Sequence, residues 1–429
     1  DNVNLSYTQM ASSLNFLKLG QIISAGRMIG SLSDEKGDEP SKLIPIKVVL
    51  NQKLFQQASA SKNFHRISDY SDEFFFKLFL YFSPYKVFSN DRVINYIRRG
   101  SKSIFVDNVE YSKTNFEKSR RLSELGGLMT DGIKYALDYK VRDANKIFKD
   151  LSNDFKNNSS LYYNLGLSYA HLGLYSYAYE SFEDAYYYDN SNKLAKVLAI
   201  MSGKLAGIET DIKAVNLLRD ELSFSGKTNK EHYFYSEAVK YMLGILDFNY
   251  INDTSNKSVL STFFKVVLSS KKGDKDSEFK HSHLLKSKLE DNVIANIMHF
   301  LAEYKDLKIS NFSKKGMSFL QNNNAFMDSV YYGPSVGREI YAELTNISGM
   351  SYHLRDILKE RLITEKDDLR GILQLLAISD IYLNFFEEAF VLYNKLIDDL
   401  KENDVNTLFY AAVAGIGAGH PENAIALLS

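Results

Sequence analysis

The chain has no cysteine, no tryptophan and only 5 prolines in 429 residues. Without cysteine there is no disulfide framework, no thiolate metal site and no cysteine nucleophile. The absence suits a periplasmic or other extracytoplasmic setting, although cytosolic proteins share it. Scarce proline, with 23 glycines, leaves little room for long irregular segments. Neither sign of charge dominates, since 52 Lys and Arg face 53 Asp and Glu. No global field therefore draws the chain to nucleic acid or anionic lipid. Long apolar runs are missing too. The best candidate, Phe74 to Phe82, is too short to cross a bilayer and contains Lys77. The chain opens on Asp1 rather than Met, which leaves room for an export signal or anchor upstream.

Aromatic residues are plentiful, as 29 Tyr and 28 Phe. With the abundant Asn, Lys and Ile they read as the coding bias of an A+T-rich genome. Their placement is periodic. Gly132, Tyr135, Ala144 and Phe148 recur 34 residues later as Gly166, Tyr169, Ala178 and Phe182. Leu373, Ala377, Ala389 and Tyr393 recur 35 residues later as Leu408, Ala412, Ala424 and Leu428. Small residues at fixed offsets let two helices approach closely, and the large rings fill the space between successive pairs. The motif over 159–192 is similar to the tetratricopeptide repeat (TPR), a 34-residue helical hairpin that buries its apolar face only by stacking on its neighbours.

The resemblance implies an all-α fold, a TPR-like right-handed superhelix of helical hairpins. Clear repeats span 125–158, 159–192, 370–404 and 405–429. Degenerate hairpins, near 193–223, 230–270, 279–322 and 329–363, fill 193–363. Residues 1–120 lack the repeat and form an N-terminal helical domain, so the solenoid covers 121–429. Within that domain, helical patterns occupy Leu5 to Leu32, 43–60, 70–83 and 90–100, with a charged linker from Asp34 to Pro40. No alternating strand and no Asn-Gly hairpin stands out. The array stops at Ser429, partway through a helix, so more helix or a polar cap is expected to follow.

Chemistry is hard to place on this pattern. Gly415-Ile-Gly417-Ala-Gly419 has the spacing of a phosphate loop, but His420 occupies the next position and no strand precedes it. The repeat register puts Gly415 in a helix and Gly417 and Gly419 in the turn before Pro421. His281, His283, His299 and Glu303 offer metal-ligand types, yet without a second motif half. The doublets Glu387-Glu388 and Asp398-Asp399 point to different sides of a helix and do not converge on a substrate. Arg98-Arg99 and Arg120-Arg121 lack the interleaved aromatics of a nucleic-acid surface. No catalytic, cofactor-binding or metal residues are assigned, and the chain reads as non-enzymatic. Tyr186-Tyr187-Tyr188 cannot all face inward, which hints at a contact patch.

In a TPR superhelix the first helix of each hairpin lines the concave side. The resemblance therefore places Met129, Ile133, Tyr163, Leu167, His171, Gln374, Ile378, Tyr382, Phe409 and Val413 on an apolar inner face. The family's Lys and Asn clamp for a C-terminal carboxylate is not reproduced, because Tyr163 and Leu167 stand at its positions and only Asn164 nearby matches. Such a groove grips an amphipathic or extended segment of another protein, or is filled by the chain's own N-terminal helices. Under the first reading, Asp at Tyr163 and Tyr382 abolishes partner capture without unfolding.

Composition, lack of cysteine and a non-repeat segment ahead of the repeats also resemble spirochaetal envelope proteins, among them TPR proteins of the periplasmic flagellar collar. That resemblance implies a periplasmic scaffold contacting collar and stator subunits. The alternative is a cytosolic adaptor reading a peptide in its groove. Other proteins are the partners in both readings, with no nucleic acid and no membrane span.

Overall fold

A computed structural model describes residues 67–88, 103–105, 124–322, 326–365 and 368–428, with a few helical positions between 11 and 28. The patterns at 43–60 and 90–100, the linker 34–40 and the doublets Arg98-Arg99 and Arg120-Arg121 lie outside the described residues. The architecture is an all-α superhelix of helical hairpins. Helix α1 (Asp72–Phe82) is followed by strand β1 (Lys86–Phe88), which pairs antiparallel with β2 (Ser103–Phe105), Lys86 opposite Phe105. The hairpins α2 (Glu124–Leu137) with α3 (Val141–Asp154), α4 (Ser159–His171) with α5 (Tyr175–Tyr188), and α6 (Lys193–Leu205) with α7 (Ile212–Ser225) begin the array. Strands of three residues carry no readable period, which is why the ribbon was not expected from sequence.

The middle is irregular for a local reason. Helix α8 (Lys230–Met242) is paired not with a full second helix but with a 3₁₀ turn, Phe248–Asn252. The segment Asp247-Phe-Asn-Tyr-Ile-Asn-Asp253 is rich in Asn and Asp, which hydrogen-bond their own backbone and favour turns. Tyr250 and Ile251 fill the missing helix's place, Tyr250 packed on Tyr233, Phe234 and Phe264 and bonded through its hydroxyl to Ser261. The pattern expected over 230–270 therefore splits. Helix α9 (Val259–Lys272) turns at Gly273 into α10 (Lys275–Lys288), so Gly273 sits inside a hairpin rather than between two. Then follow α11 (Val293–Tyr304) with α12 (Ile309–Asn322), a short α13 (Met327–Tyr331), and α14 (Ser335–Ile347) with α15 (Ser351–Thr364). Helix α16 (Arg370–Tyr382) precedes α17 (Phe386–Asn394), which continues as a π turn, and α18 (Val405–Ala418) precedes α19 (Pro421–Leu428). Asn158, Asn229, Ser258, Asn292 and Asp404 cap α4, α8, α9, α11 and α18, each side chain accepting from a backbone N–H.

The 34-residue register is visible as geometry. A Cβ on Gly132 would sit 2.7 Å from the Phe148 ring, and one on Gly166 2.9 Å from Phe182. Ala144, Ala178, Phe148 and Phe182 are all fully buried. The Tyr positions behave differently: Tyr169 is half-buried against Tyr177, and Tyr135 is largely exposed. Near the C-terminus Gly417 lies within α18 rather than in a turn, where a Cβ would meet Phe386 at 2.3 Å. Gly419 takes the left-handed turn before Pro421.

In the middle of the row the first helix of a hairpin is sheathed on two sides and the second on one. Ten of 13 residues of α4 and twelve of 13 of α14 are buried, against three of 14 in α7 and in α15. The row coils until its first hairpins meet its last. Arg142, at the start of α3, holds Glu402 through Nε and Nη2 (3.1 and 3.0 Å) and Asp368 through Nη1 (3.3 Å). Arg370 braces the same two carboxylates. The Gly173 turn lies against Asp404 and Ser335, and the Tyr139 hydroxyl donates to the Asp291 carbonyl. Burial opposes the charge of Asp368, but Arg142 and Arg370 hold its carboxyl below the usual range.

Two outcomes follow from this packing. Gly166→Val forces the Phe182 ring off its seat and should cost about 1–3 kcal/mol in chemical denaturation, whereas Gly127→Ala, with nothing near its Cβ, should be neutral or stabilising. Arg142→Ala should cost roughly 1.5–3 kcal/mol and increase the radius of gyration in solution scattering. Because the folded pKa of Asp368 is depressed, its contribution is present above the unfolded value near 4 and is lost as pH falls through the folded one. The gap between wild type and Arg142→Ala should therefore shrink on acidification.

Candidate functional site: the inner face of the superhelix

The inner face is largely occupied by the chain itself. Helix α1 lies along it, packed against α4, α6, α9 and α14. Its sequence, Asp-Glu-Phe-Phe-Phe-Lys-Leu-Phe-Leu-Tyr-Phe, is apolar almost all round, which suits a helix with no solvent face. Nine of its 11 residues are buried. Ser71 caps the start, and Pro84 beyond Ser83 ends it. Phe75 meets Tyr241, Phe263 and Phe264, while Phe79 meets Phe234 and Phe263. Lys77 lies between Glu73 (3.0 Å) and Glu339 of α14 (3.5 Å). Burial opposes its charge, but those carboxylates more than offset the cost and keep it protonated.

After α1 the chain runs extended over α4. The Asn164 side chain accepts from the Lys86 N–H and donates to the Lys86 carbonyl, both at 2.8 Å. This double bond to an extended backbone is a peptide-recognition geometry applied to the chain's own segment. The Lys86 ammonium reaches Asn192 and lies 4.9 Å from the centre of the Tyr163 ring. Burial pulls that ammonium down to about 7, against smaller opposing effects from Asp189 and Glu231. The Tyr163 hydroxyl donates to the Pro84 carbonyl (3.0 Å). His171 is pulled down to about 4 by burial, and so is neutral, between the Tyr85 hydroxyl and the Leu80 carbonyl.

The residues assigned to the inner face thus fall into three groups. Met129, Ile133, Tyr163, Leu167 and His171 are buried, and Tyr163 and His171 bond the 80–85 segment. Gln374 and Ile378 are buried beside a small cavity between α14, α16, α17 and α18. Tyr382 and Val413 are half-buried, and Phe409 is 52% exposed. Of the two ways to fill the groove, the structure realises the intramolecular one over its N-terminal part. Tyr163→Asp therefore cannot spare the fold, since it places a carboxylate in a dry core.

Beyond the reach of α1, apolar side chains of α18 are exposed. Along α18, Val405 and Phe409 are each 52% exposed and Ile416 62%, with Val413 half-buried between them. Offsets of 4, 8 and 11 residues put all four on one side of a helix. Elsewhere, Tyr187 is 83% exposed while Tyr186 and Tyr188 are half-buried. The rings of His283 and His299 lie 5.3 Å apart with Phe279 beside them, and Ser282 bonds His299. Among the described residues no three His, Cys, Asp or Glu gather as metal ligands, and no helix is long and apolar enough to cross a membrane.

No family model matches the chain, and no curated protein matches it in sequence. Among solved structures it is similar to a crystal structure of yeast Tom70, at a TM-score of 0.41 and 11% identity, covering 99% of this chain and 92% of that one. The hairpin register itself makes the chain TPR-like, as the matched Gly132–Phe148 and Gly166–Phe182 contacts show.

Sequence reasoning missed the Arg142 closure and the polar cavity, which join residues far apart in the chain. The occupant of the groove did leave a signal, because a short helix with no polar side can only be interior. Asn164→Ala strands the Lys86 N–H and carbonyl and should cost about 2–3 kcal/mol. Amide hydrogen exchange at residues 85–88 should rise well before that at α4.

Proposed function

We propose that the protein is a non-enzymatic interaction scaffold that binds other proteins through the exposed stripe of α18. The observation that carries this reading is Val405, Phe409 and Ile416 standing exposed on one helix side, while α1 covers α4, α6, α9 and α14. Aligned apolar side chains left to water mark a docking surface more strongly than scattered ones do. The adaptor alternative, a peptide gripped across the whole groove, requires α1 to leave. Seven Phe and Leu side chains of α1 are buried, worth on the order of 10–20 kcal/mol at about 1.5–3 kcal/mol each. A micromolar peptide supplies only about 8 kcal/mol. Competition for that region favours the resident helix.

The finer reading is a structural component of a periplasmic multi-protein assembly of the flagellar collar type, joined to collar and stator subunits. Its support is compositional: no cysteine, abundant Tyr, Phe, Asn, Lys and Ile, and balanced charge. A scaffold of this kind is expected to make large, stable interfaces rather than to bind one short peptide.

The test is crosslinking in native cell envelopes, followed by identification of the joined peptides. Crosslinks should concentrate on α18, and Phe409→Asp with Ile416→Asp should reduce partner recovery at least tenfold while unfolding stability changes by no more than about 0.5 kcal/mol. Undiminished recovery from the double variant overturns the docking surface. A soluble cytosolic pool with only transient partners overturns the envelope assignment.

A further inference from the structure

Three residues that line one cavity each carry a buried polar atom without a hydrogen-bond partner among the described residues: Asp404 Oδ2, Gln374 Oε1 and Tyr393 Oη. Each of these residues is more than nine-tenths buried. Most buried polar atoms are satisfied, so three on the residues around one space need an explanation. The cavity is about 20 Å³, enough for one group the size of water or ammonium.

The chemistry of the lining selects a donor. A carboxylate oxygen and an amide oxygen only accept, and a phenol does either. Two carboxylates, Asp404 and Glu339, line the cavity against one guanidinium, Arg338. Arg338 Nη1 is committed to the carbonyls of Gly333 (2.7 Å) and Val330 (3.4 Å). Glu339 is engaged by Lys77 and Asn406. Asp404 uses Oδ1 to cap the Thr407 N–H, and Gln374 gives its Nε2 to Thr407 Oγ1. What remains is an open carboxylate oxygen with a second acceptor and a phenol.

The groove's internal occupant shows how this fold satisfies such sets. It brings the Lys77 ammonium to Glu339, and the Lys86 ammonium to Asn192 beside the Tyr163 ring. The vacant acceptor set lies next along the inner face. Asn406 and Tyr410, which line it from α18, are each one residue on from the stripe residues Val405 and Phe409. A lysine stem can lie over the Tyr410 ring and place only its head inside, whereas a guanidinium is too large for the space. We propose that this cavity receives the primary ammonium of a lysine carried by the protein that docks along α18. The identity of the carrier rests on the docking reading above. The cavity's preference for an ammonium group does not.

The full chain, ¹⁵N-labelled, is titrated with n-butylammonium chloride and separately with n-butanol, which has the same stem and no charge. The expected result is saturable shifts at the Gln374 side-chain amide and the Thr407 backbone amide with butylammonium alone. Asp404→Asn keeps a capping acceptor for Thr407 and should weaken binding at least tenfold. Tyr393→Phe, which removes only a hydroxyl, should weaken it less. No saturable shift, equal shifts with butanol, or unchanged binding in Asp404→Asn overturns the proposal and leaves the cavity to water. Partner capture is read separately by crosslinking. If capture fails and butylammonium binds, the docking reading falls and the site stands, and the converse result does the opposite.

Discussion

A coiled row of helical hairpins has an apolar inner wall, and water cannot be left against all of it. In this protein the covering is intramolecular. Helix α1 and the extended residues after it lie on α4, α6, α9 and α14, and the Asn164 bonds fix their register. First helices such as α4 and α14 are deeply buried because they are enclosed from both sides. The second helices keep one side in solvent, and their buried residues reduce to a narrow stripe such as Val215, Leu218 and Leu222. Among the described residues, α1 packs on helices up to α14, and the exposed stripe lies further along, on α18.

Charge follows the same logic of enclosure. Lys77 keeps its proton between two carboxylates, whereas Lys86, with an amide and a ring for company, is drawn toward neutrality. Arg142 is mostly buried at the closure of the coil and is matched by Glu402 and Asp368. Removing one member of such a group strands the others, which is why buried ion networks specify an arrangement more than they add stability.

The hairpin register was legible because it is local. Gly132 and Gly166 face rings sixteen residues on, and spacing alone predicts that contact. Of the inner-wall set, Tyr163 and His171 both meet the segment that follows α1. What covers the inner face was not legible, because periodicity names the side a residue points to and not the neighbour it meets. Nor was the exchange of a second helix for the turn around Tyr250 apparent, since Asn and Asp compete with helix through bonds that leave no repeat. The pairing of Arg142 with Glu402 spans 260 residues, a separation that no window of sequence encloses. Pairing of Gln374 and Asp404 around one cavity was hidden for the same reason, each looking like an ordinary polar position in its own helix.

A stack of repeats can ordinarily nucleate anywhere, because each unit touches only its neighbours. Helix α1 removes that freedom. Its last partner, α14, begins more than 250 residues later in the chain. Synthesis therefore exposes a strongly aromatic segment long before its enclosure exists, and completion waits on contacts of high sequence separation. The chain is committed to wrapping around a segment of itself that is made well before the helices that enclose it.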